Sequence, residues 1–327
     1  MRKVFPLLLA GATLAALTFP SFAQKEKKPE TWEEKAAARL KPVTDQQKKD
    51  IEKAVPAKPT AEPEKDRRIL VFWRCEGFIH TSIPCGNFAI EQLGTKTGAF
   101  SADLSDDYSV FTSENLAQYD AVLFNNTTHL KFPDEKSKKA LMDFVTSGKG
   151  VIGFHAATDN FKRWEEVSEM MGGSFDGHPW TAGGKWAFKL DDPEHPINAA
   201  FNGTGFWHTD EIYQNGPNPY SREKLRVLVS LDMSKPQNNY SKFRKMLQED
   251  KIKRKDNDYA VSWLREFNGG RVFYSNFGHR EDTFWNPMIL QHYLDGIQYA
   301  LGDLEADATP SAKMKDLVAV SAPDEEA

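Results

Sequence analysis

Residues 150–159 read GVIGFHAATD. Val151 and Ile152, flanked by Gly150 and Gly153, form a short apolar run bounded by glycines, the pattern of a buried strand. Phe154 and His155 follow, then two alanines. Thr158, Asp159 and Asn160 offer helix N-cap chemistry, and a helical pattern continues to Met171. A strand, a tight turn and a helix therefore meet at His155. In open α/β sheets, ligands bind outside the carboxyl ends of strands. The turn that presents the nucleophile of α/β-hydrolases has the same form, but here the side chain on show is an imidazole. A histidine that merely closes a strand end for packing is the alternative this pattern leaves open.

Working outward, residues 69–73 (ILVFW) read as a buried strand, 83–98 as a helix, 99–104 and 119–124 as strands, and 133–147 as a helix with Pro133 at its start. Strands alternating with helices predict an α/β domain: a mostly parallel sheet with helices on both faces. Beyond Met171 the pattern changes. Gly172, Gly173, Gly177, Gly183, Gly184 and Pro179 interrupt the chain as far as Trp186, an irregular stretch of a length that usually carries function or closes over a site. Strand-like runs follow at 186–190, 207–213 and 225–231, then a polar, lysine-rich surface insertion at 234–258. Residues 259–266 and 270–275 read as a hairpin joined through Asn268-Gly269. Residues 286–301 form a closing helix with Pro287 in its first turn. The acidic, alanine-rich tail from Gly302 reads as frayed.

The N-terminus has the form of a secretory signal peptide over 1–23: Arg2 and Lys3, an apolar stretch 4–18, and a small-x-small site at Ser21-Phe22-Ala23. It predicts export, to the periplasm or the extracellular space. The apolar part is short for a membrane span, and no stable span is expected after cleavage. Residues 24–67, rich in Lys, Glu, Ala and Pro, read as a partly disordered tether with short helices at 31–40 and 44–55; a docked helical arm is the alternative. The folded domain then covers 68–303, and the tail 304–327. The formal net charge is −5, and loss of Arg2 and Lys3 leaves 40 basic against 47 acidic residues. That balance argues against a nucleic-acid surface. In an exported protein, Cys75 and Cys85 can form a disulfide; two buried free thiols are the alternative.

Five of the eight histidines sit at element ends: His80, His155, His178, His208 and His279. The ends of parallel strands share one edge, so His80, His155 and His279 can converge. Asp159, four residues after His155, is a candidate N-cap or orienting partner, and Asp210-Glu211 supply carboxylates. Imidazole and carboxylate serve both proton transfer near neutral pH and the binding of zinc-like metals. The residues do not separate these uses; a metal, if present, would take His80, His155 and His279. His129, His195 and His292 read as structural. Trp180, Trp207 and Tyr213 flank the candidates, and aromatic rings beside carboxylates suit a sugar. No GxSxG elbow and no dinucleotide or phosphate loop occurs, so neither a serine nucleophile nor a nucleotide cofactor is expected.

The segments ILVFWRCEGFIHTSI, YDAVLFNN, GKGVIGFHAATD, MMGGSFDGHPW, HPI, TDEIY, YAVSWLREFNGGRVFYSNFGHRED and WNPMILQHYLDGIQYALGD span about 68–303. Together they resemble the ThuA-like family, named for trehalose utilisation. The resemblance implies a class I glutamine amidotransferase-like fold: a flavodoxin-like three-layer α/β sandwich with a mostly parallel sheet. In those amidotransferases a cysteine occupies the sharp turn where this chain has His155, which counts against amide hydrolysis. The family's association with trehalose and related disaccharides implies a small carbohydrate substrate, with 3-keto-sugars as intermediates. The motif positions that carry over are His80, His155, Asp159, His178, Asp210, Glu211, Tyr213 and His279.

These readings give an exported protein acting on a keto-disaccharide or glycoside by isomerisation, epimerisation or elimination. His155 is central, with His80, His279, Glu211 (the base) and Asp159 catalytic. His178, Trp180, Trp207, Asp210, Tyr213 and Asn276 contact the substrate. A non-catalytic carbohydrate-binding module and an amidotransferase-like hydrolase are the rival readings.

Overall fold

The apolar runs of the sequence become one nine-stranded sheet in the computed structural model, which describes residues 1, 31–160, 164–239 and 246–325. The strands are β1 (Arg68–Phe72), β2 (Ser101–Ser105), β3 (Ala121–Asn125), β4 (Gly150–Phe154), β5 (Lys185–Leu190), β6 (Phe206–Thr209), β7 (Arg226–Leu231), β8 (Ala260–Phe267) and β9 (Gly270–Ser275). The helices are α1 (Trp32–Arg39), α2 (Asp45–Ala54), α3 (Ile83–Thr97), α4 (Ser113–Leu116), α5 (Glu135–Thr146), α6 (Glu165–Met171), α7 (Pro236–Asn239) and α8 (Pro287–Leu301).

The strand order is β2-β1-β3-β4-β9-β8-β7-β5-β6. Neighbours from β2 to β9 pair in parallel; those from β9 to β6 pair antiparallel. The parallel sheet expected from the sequence is thus one half of a mixed sheet. The connections explain the other half. β8 and β9 join through Asn268 (φ 49°) and Gly269 (φ 94°), a turn with positive φ at both positions. Among the described residues, β5 to β8 are joined by loops and short helical segments, where parallel neighbours need crossovers.

Side chains alternate across a strand, and in the parallel half both sets are apolar. Val71, Leu123, Ile152 and Phe273 pack on one face with Ile90 and Leu93 of α3 and Leu294 of α8. Leu70, Val122, Val151 and Val272 pack on the other with Leu141 and Val145 of α5 and Met170 of α6. The Asn286 side chain accepts hydrogen bonds from the Met288 and Ile289 backbone N–H groups and so starts α8. Gly302 (φ 85°) ends it.

Three expectations are corrected, and the open question of the cysteine pair is decided. Residues 31–67 are not a loose tether but a docked arm. Ile51 of α2 joins the main core, Trp32 of α1 packs beside Cys75, Ile79 and Ile83, and Lys96 donates to the Glu52 and Val55 carbonyls. The tail is also docked: Val320 bridges to Leu190, and Ala322 is buried. Cys75 and Cys85 are buried free thiols that face different clusters of the core. The chain after His155 makes a short 3-10 turn over His155–Asp159, and helix α6 begins only at Glu165, so Asp159 is not its N-cap. The leader expected over 1–23 falls outside the described residues apart from Met1.

Gly150, at the start of β4, lies against α8. A Cβ there would come within 2.4 Å of the Ala300 carbonyl oxygen. Gly150→Ala is expected to destabilise the fold by about 1–3 kcal/mol through overpacking, measured as a lower midpoint in thermal or urea denaturation.

Candidate functional site

β4 delivers His155 into a left-handed conformation (φ 45°), unfavourable for a non-glycine residue. Its parallel neighbour β9 holds it there. The His155 ring Nδ1–H donates to the Asn276 carbonyl (2.7 Å), and the Tyr274 hydroxyl donates to the His155 carbonyl (2.6 Å). With Nδ1 engaged as donor, Nε2 is the ring nitrogen on the side of Glu211.

Three other chain segments meet this imidazole at the carboxyl edge of the parallel strands. His80 comes from the loop after β1, His279 from the turn after β9, and Glu211 from the run that leaves β6. One donor atom from each of His80, His155, Glu211 and His279 lies within 4.8 Å of the others. Glu211 Oε2 is 3.0 Å from His279 Nδ1 and 3.6 Å from His155 Nε2. Its Oε1 is 3.2 Å from His178 Nδ1. The glycine-rich stretch after α6 brings His178 there by pairing Phe175 with Asn215 and Trp180 with Ile212. The Tyr213 hydroxyl is 3.4 Å from His80 Nε2, and its ring lies on His155 (centroids 4.3 Å apart). These are donor types that hold zinc-like ions as well as move protons.

Asp210 positions the group. Its carboxylate accepts from the backbone N–H groups of Glu211 (2.9 Å), Gly278 (2.8 Å) and Arg280 (3.0 Å) and from the Thr283 hydroxyl (2.8 Å). Gly278 sits at φ 127°, open to glycine, and its carbonyl accepts from Ser82 Oγ and Asn126 Nδ2. The turn carrying His279 is thereby fixed on both sides.

Other residues singled out in the sequence do not face the cluster. Asp210 is fully buried, and its oxygens are taken by backbone N–H groups and the Thr283 hydroxyl. Asn276 is likewise fully buried; its side-chain oxygen accepts from the Tyr213 N–H and its amide donates to the Tyr274 hydroxyl. Trp180 is fully buried and donates its indole N–H to the Asn238 carbonyl. Trp207 donates to the Pro323 carbonyl. Asp159 pairs with His129 at 3.2 Å. His208 is held by the Thr283 hydroxyl (3.1 Å), and His195 and His292 are bonded inside the fold. Phe78 was missed. It is 54% exposed, stacks on His279 (centroids 6.3 Å apart, planes 18° off) and carries the Arg39 guanidinium 5.3 Å above its ring. Its place two residues before His80 was the available signal.

Burial alone would raise the Glu211 carboxyl, but the imidazoles of His155 and His279 outweigh it and hold it far below the usual carboxylate range. Burial lowers His279, yet the Glu211 carboxylate wins and holds it above its ordinary value. Burial, with His155 and His279 alongside, keeps His80 well below its ordinary value.

The signs fix a pH dependence. His279 is raised above an ordinary 6.5, so its stabilising effect is complete below that value and is lost as pH rises through its folded pKa. Glu211 is depressed below 4.5, so its effect is complete above that value and is lost as pH falls toward its folded pKa. In chelator-treated protein, the gap in thermal midpoint between wild type and Glu211→Gln is expected to be widest between about pH 4.5 and 6.5 and to narrow toward pH 9. In the variant, the His279 ring proton signal in NMR should titrate at lower pH than in the wild type. An unmoved titration would show that Glu211 does not set the charge of His279.

A family model for trehalose utilisation, ThuA, matches residues 68–300. Among solved structures, a putative ThuA-like protein from Bacteroides uniformis ATCC 8492 superposes with a TM-score of 0.58 at 22% identity, covering 78% of this chain and 99% of that one. Another, from Parabacteroides merdae ATCC 43184, superposes with a TM-score of 0.53 at 15% identity, covering 77% and 100%. At these identities the likeness is one of fold. No curated protein matches the chain. Because the family model runs from the first strand of the sheet to the last turn of α8, the chain belongs to the ThuA family of trehalose utilisation.

Proposed function

We propose that this protein acts on a keto-disaccharide or keto-glycoside by acid–base chemistry, and that it works outside the cytoplasm, as its leader-like first 23 residues imply. The observation that carries the reading is the convergence of His80, His155, His178 and His279 around the Glu211 carboxylate. The family's link to trehalose utilisation supports a disaccharide as the substrate class.

A ketone acidifies the C–H bonds beside it. The protein must take one such proton and stabilise the enediolate left behind. A carboxylate held far below its usual range is a weak proton acceptor, so Glu211 orients and His178 takes the base role. His178 turns Nδ1 toward Glu211 while its side chain is 42% exposed, which leaves Nε2 on the open edge. The buried histidines face the enediolate oxygen. Return of the proton to the opposite face gives epimerisation, and its return to the neighbouring carbon gives isomerisation. In a 3-keto-glycoside, loss of the C2 proton can instead expel the glycosidic oxygen from C1, which leaves with a proton. Phe78 is the exposed ring on which a sugar face would lie. A cysteine route is not supported: burial pushes the Cys75 thiol up to about 12, and its sulfur is bonded to the Asn126 carbonyl.

A carbohydrate-binding module without turnover is the second reading, favoured by the same exposed ring. Incubation with 3-keto-trehalose and with trehalose, followed by NMR, separates the two. Turnover of the keto-sugar alone is expected, with kcat lower by about 10²–10⁴ in His178→Ala. Binding without turnover would move the assignment to the binding module, and neither binding nor turnover would remove the substrate class. Phe78→Ala is expected to raise KM about 3- to 10-fold, the worth of one stacking contact, while kcat stays near that of the wild type.

A further inference from the structure

Four nitrogens around the Glu211 carboxylate, His80 Nδ1, His155 Nε2, His178 Nδ1 and His279 Nδ1, are buried and have no hydrogen-bond partner among the described residues. A buried polar nitrogen left without a partner costs free energy, and here four such atoms sit around one carboxylate, three of them on the side of Oε2. His279 Nδ1 meets Glu211 Oε2 at hydrogen-bond distance but not in hydrogen-bond direction. One donor atom from each of His80, His155 and His279 lies within 4.8 Å of the others and of a Glu211 oxygen, so the four share one space.

Two of the spacings in the set are those of donors sharing an ion. With metal–ligand distances of about 2.0–2.2 Å, adjacent donors in a tetrahedral or octahedral shell lie roughly 2.8–3.6 Å apart. Glu211 Oε2 stands 3.0 Å from His279 Nδ1 and 3.6 Å from His155 Nε2. The surrounding bonds also fit. The His155 Nδ1–H is engaged by the Asn276 carbonyl, and His80 Nε2 lies by the Tyr213 hydroxyl, so each ring is held through the nitrogen that faces away from the cluster. Metal-binding histidines are held in this way.

We propose that His80, His155, His279 and Glu211 bind one divalent first-row transition ion, with Nδ1, Nε2, Nδ1 and Oε2 as the respective donors. Three imidazoles and one carboxylate select the zinc-to-manganese class. Calcium and magnesium prefer oxygen donors, and no thiolate is in the group to favour a softer ion. His178, on the other carboxylate oxygen, lies outside the set.

The test uses the purified full chain, stripped by chelator dialysis and titrated with Zn²⁺ by calorimetry and with Co²⁺ by visible absorption. One ion per chain is expected, with a higher thermal midpoint and the visible bands of Co²⁺ in nitrogen and oxygen coordination. His279→Ala and Glu211→Gln should each weaken binding about 100-fold or more, and His129→Ala should leave it unchanged. His155 also holds the backbone, so a folded His279→Ala decides the case if His155→Ala does not fold. Binding that is absent, or equal in wild type and His279→Ala, overturns the proposal. The readout needs no sugar. A protein that binds the ion but leaves keto-trehalose unchanged keeps this inference and loses the proposed reaction; turnover by a protein that binds no ion does the reverse.

Discussion

The buried carboxylate of Asp210 is the interaction on which the cluster depends. It is fully enclosed, so its charge must be met by donors from the protein. It finds them in two places at once: the N–H of the next residue, Glu211, and the turn at Gly278 and Arg280. The first sets where Glu211 projects, and the second sets where His279 stands. Two adjacent acids thus divide the work. One is used up on the backbone, and the other remains for chemistry among imidazoles.

The fold supplies the second constraint. β4 and β9 are far apart in sequence but paired in parallel, with Phe154 opposite Ser275. That register puts Tyr274 and Asn276 beside His155, where they bond both its backbone and its ring. The left-handed turn costs His155 conformational energy, and these bonds offset it. The pairing that closes the parallel half of the sheet also fixes the orientation of the central imidazole. Substitution at Tyr274 or Asn276 would act on the site through this scaffold, without either side chain reaching the open face.

Much of this was legible in the sequence because it rests on local pattern. Glycine-bounded apolar runs marked the strands, Asn268-Gly269 marked the hairpin, and histidines after strands marked one edge of a sheet. What was not legible depends on distant contacts. Trp180 reads as a flanking aromatic, yet Tyr259 and the Asn238 carbonyl enclose it. Asp159 reads as a cap, but it ends a 3-10 turn, helix α6 starts at Glu165 with Trp164 as its cap, and His129 lies 3.2 Å from the Asp159 carboxylate. The reading of Glu211 as the base, made from residue type, did not allow for the two imidazoles, His155 and His279, that depress its carboxyl. His178 read only as a contact, because nothing local says that the glycine-rich stretch folds back onto residues 212–215.

The N-terminal arm shows how composition misleads. Few apolar residues over 31–67 argued for a tether, yet those few are well placed. Thr44 and Gln47 close a reciprocal capping box that starts α2. Ile51 then enters the main core, and Trp32 seats against Trp73 with its indole N–H donating to Asp106. Between them Arg39 donates to the Ile79 carbonyl and lies over the Phe78 ring. Phe78, Ile79 and His80 are consecutive, so the arm braces the loop that brings one imidazole into the cluster and one aromatic ring to its rim. Phe78, at 54% exposed, gains only part of what full burial would give. The guanidinium above and the His279 ring beside it are what hold it in place, and they tie the shape of the open face to the docking of α1.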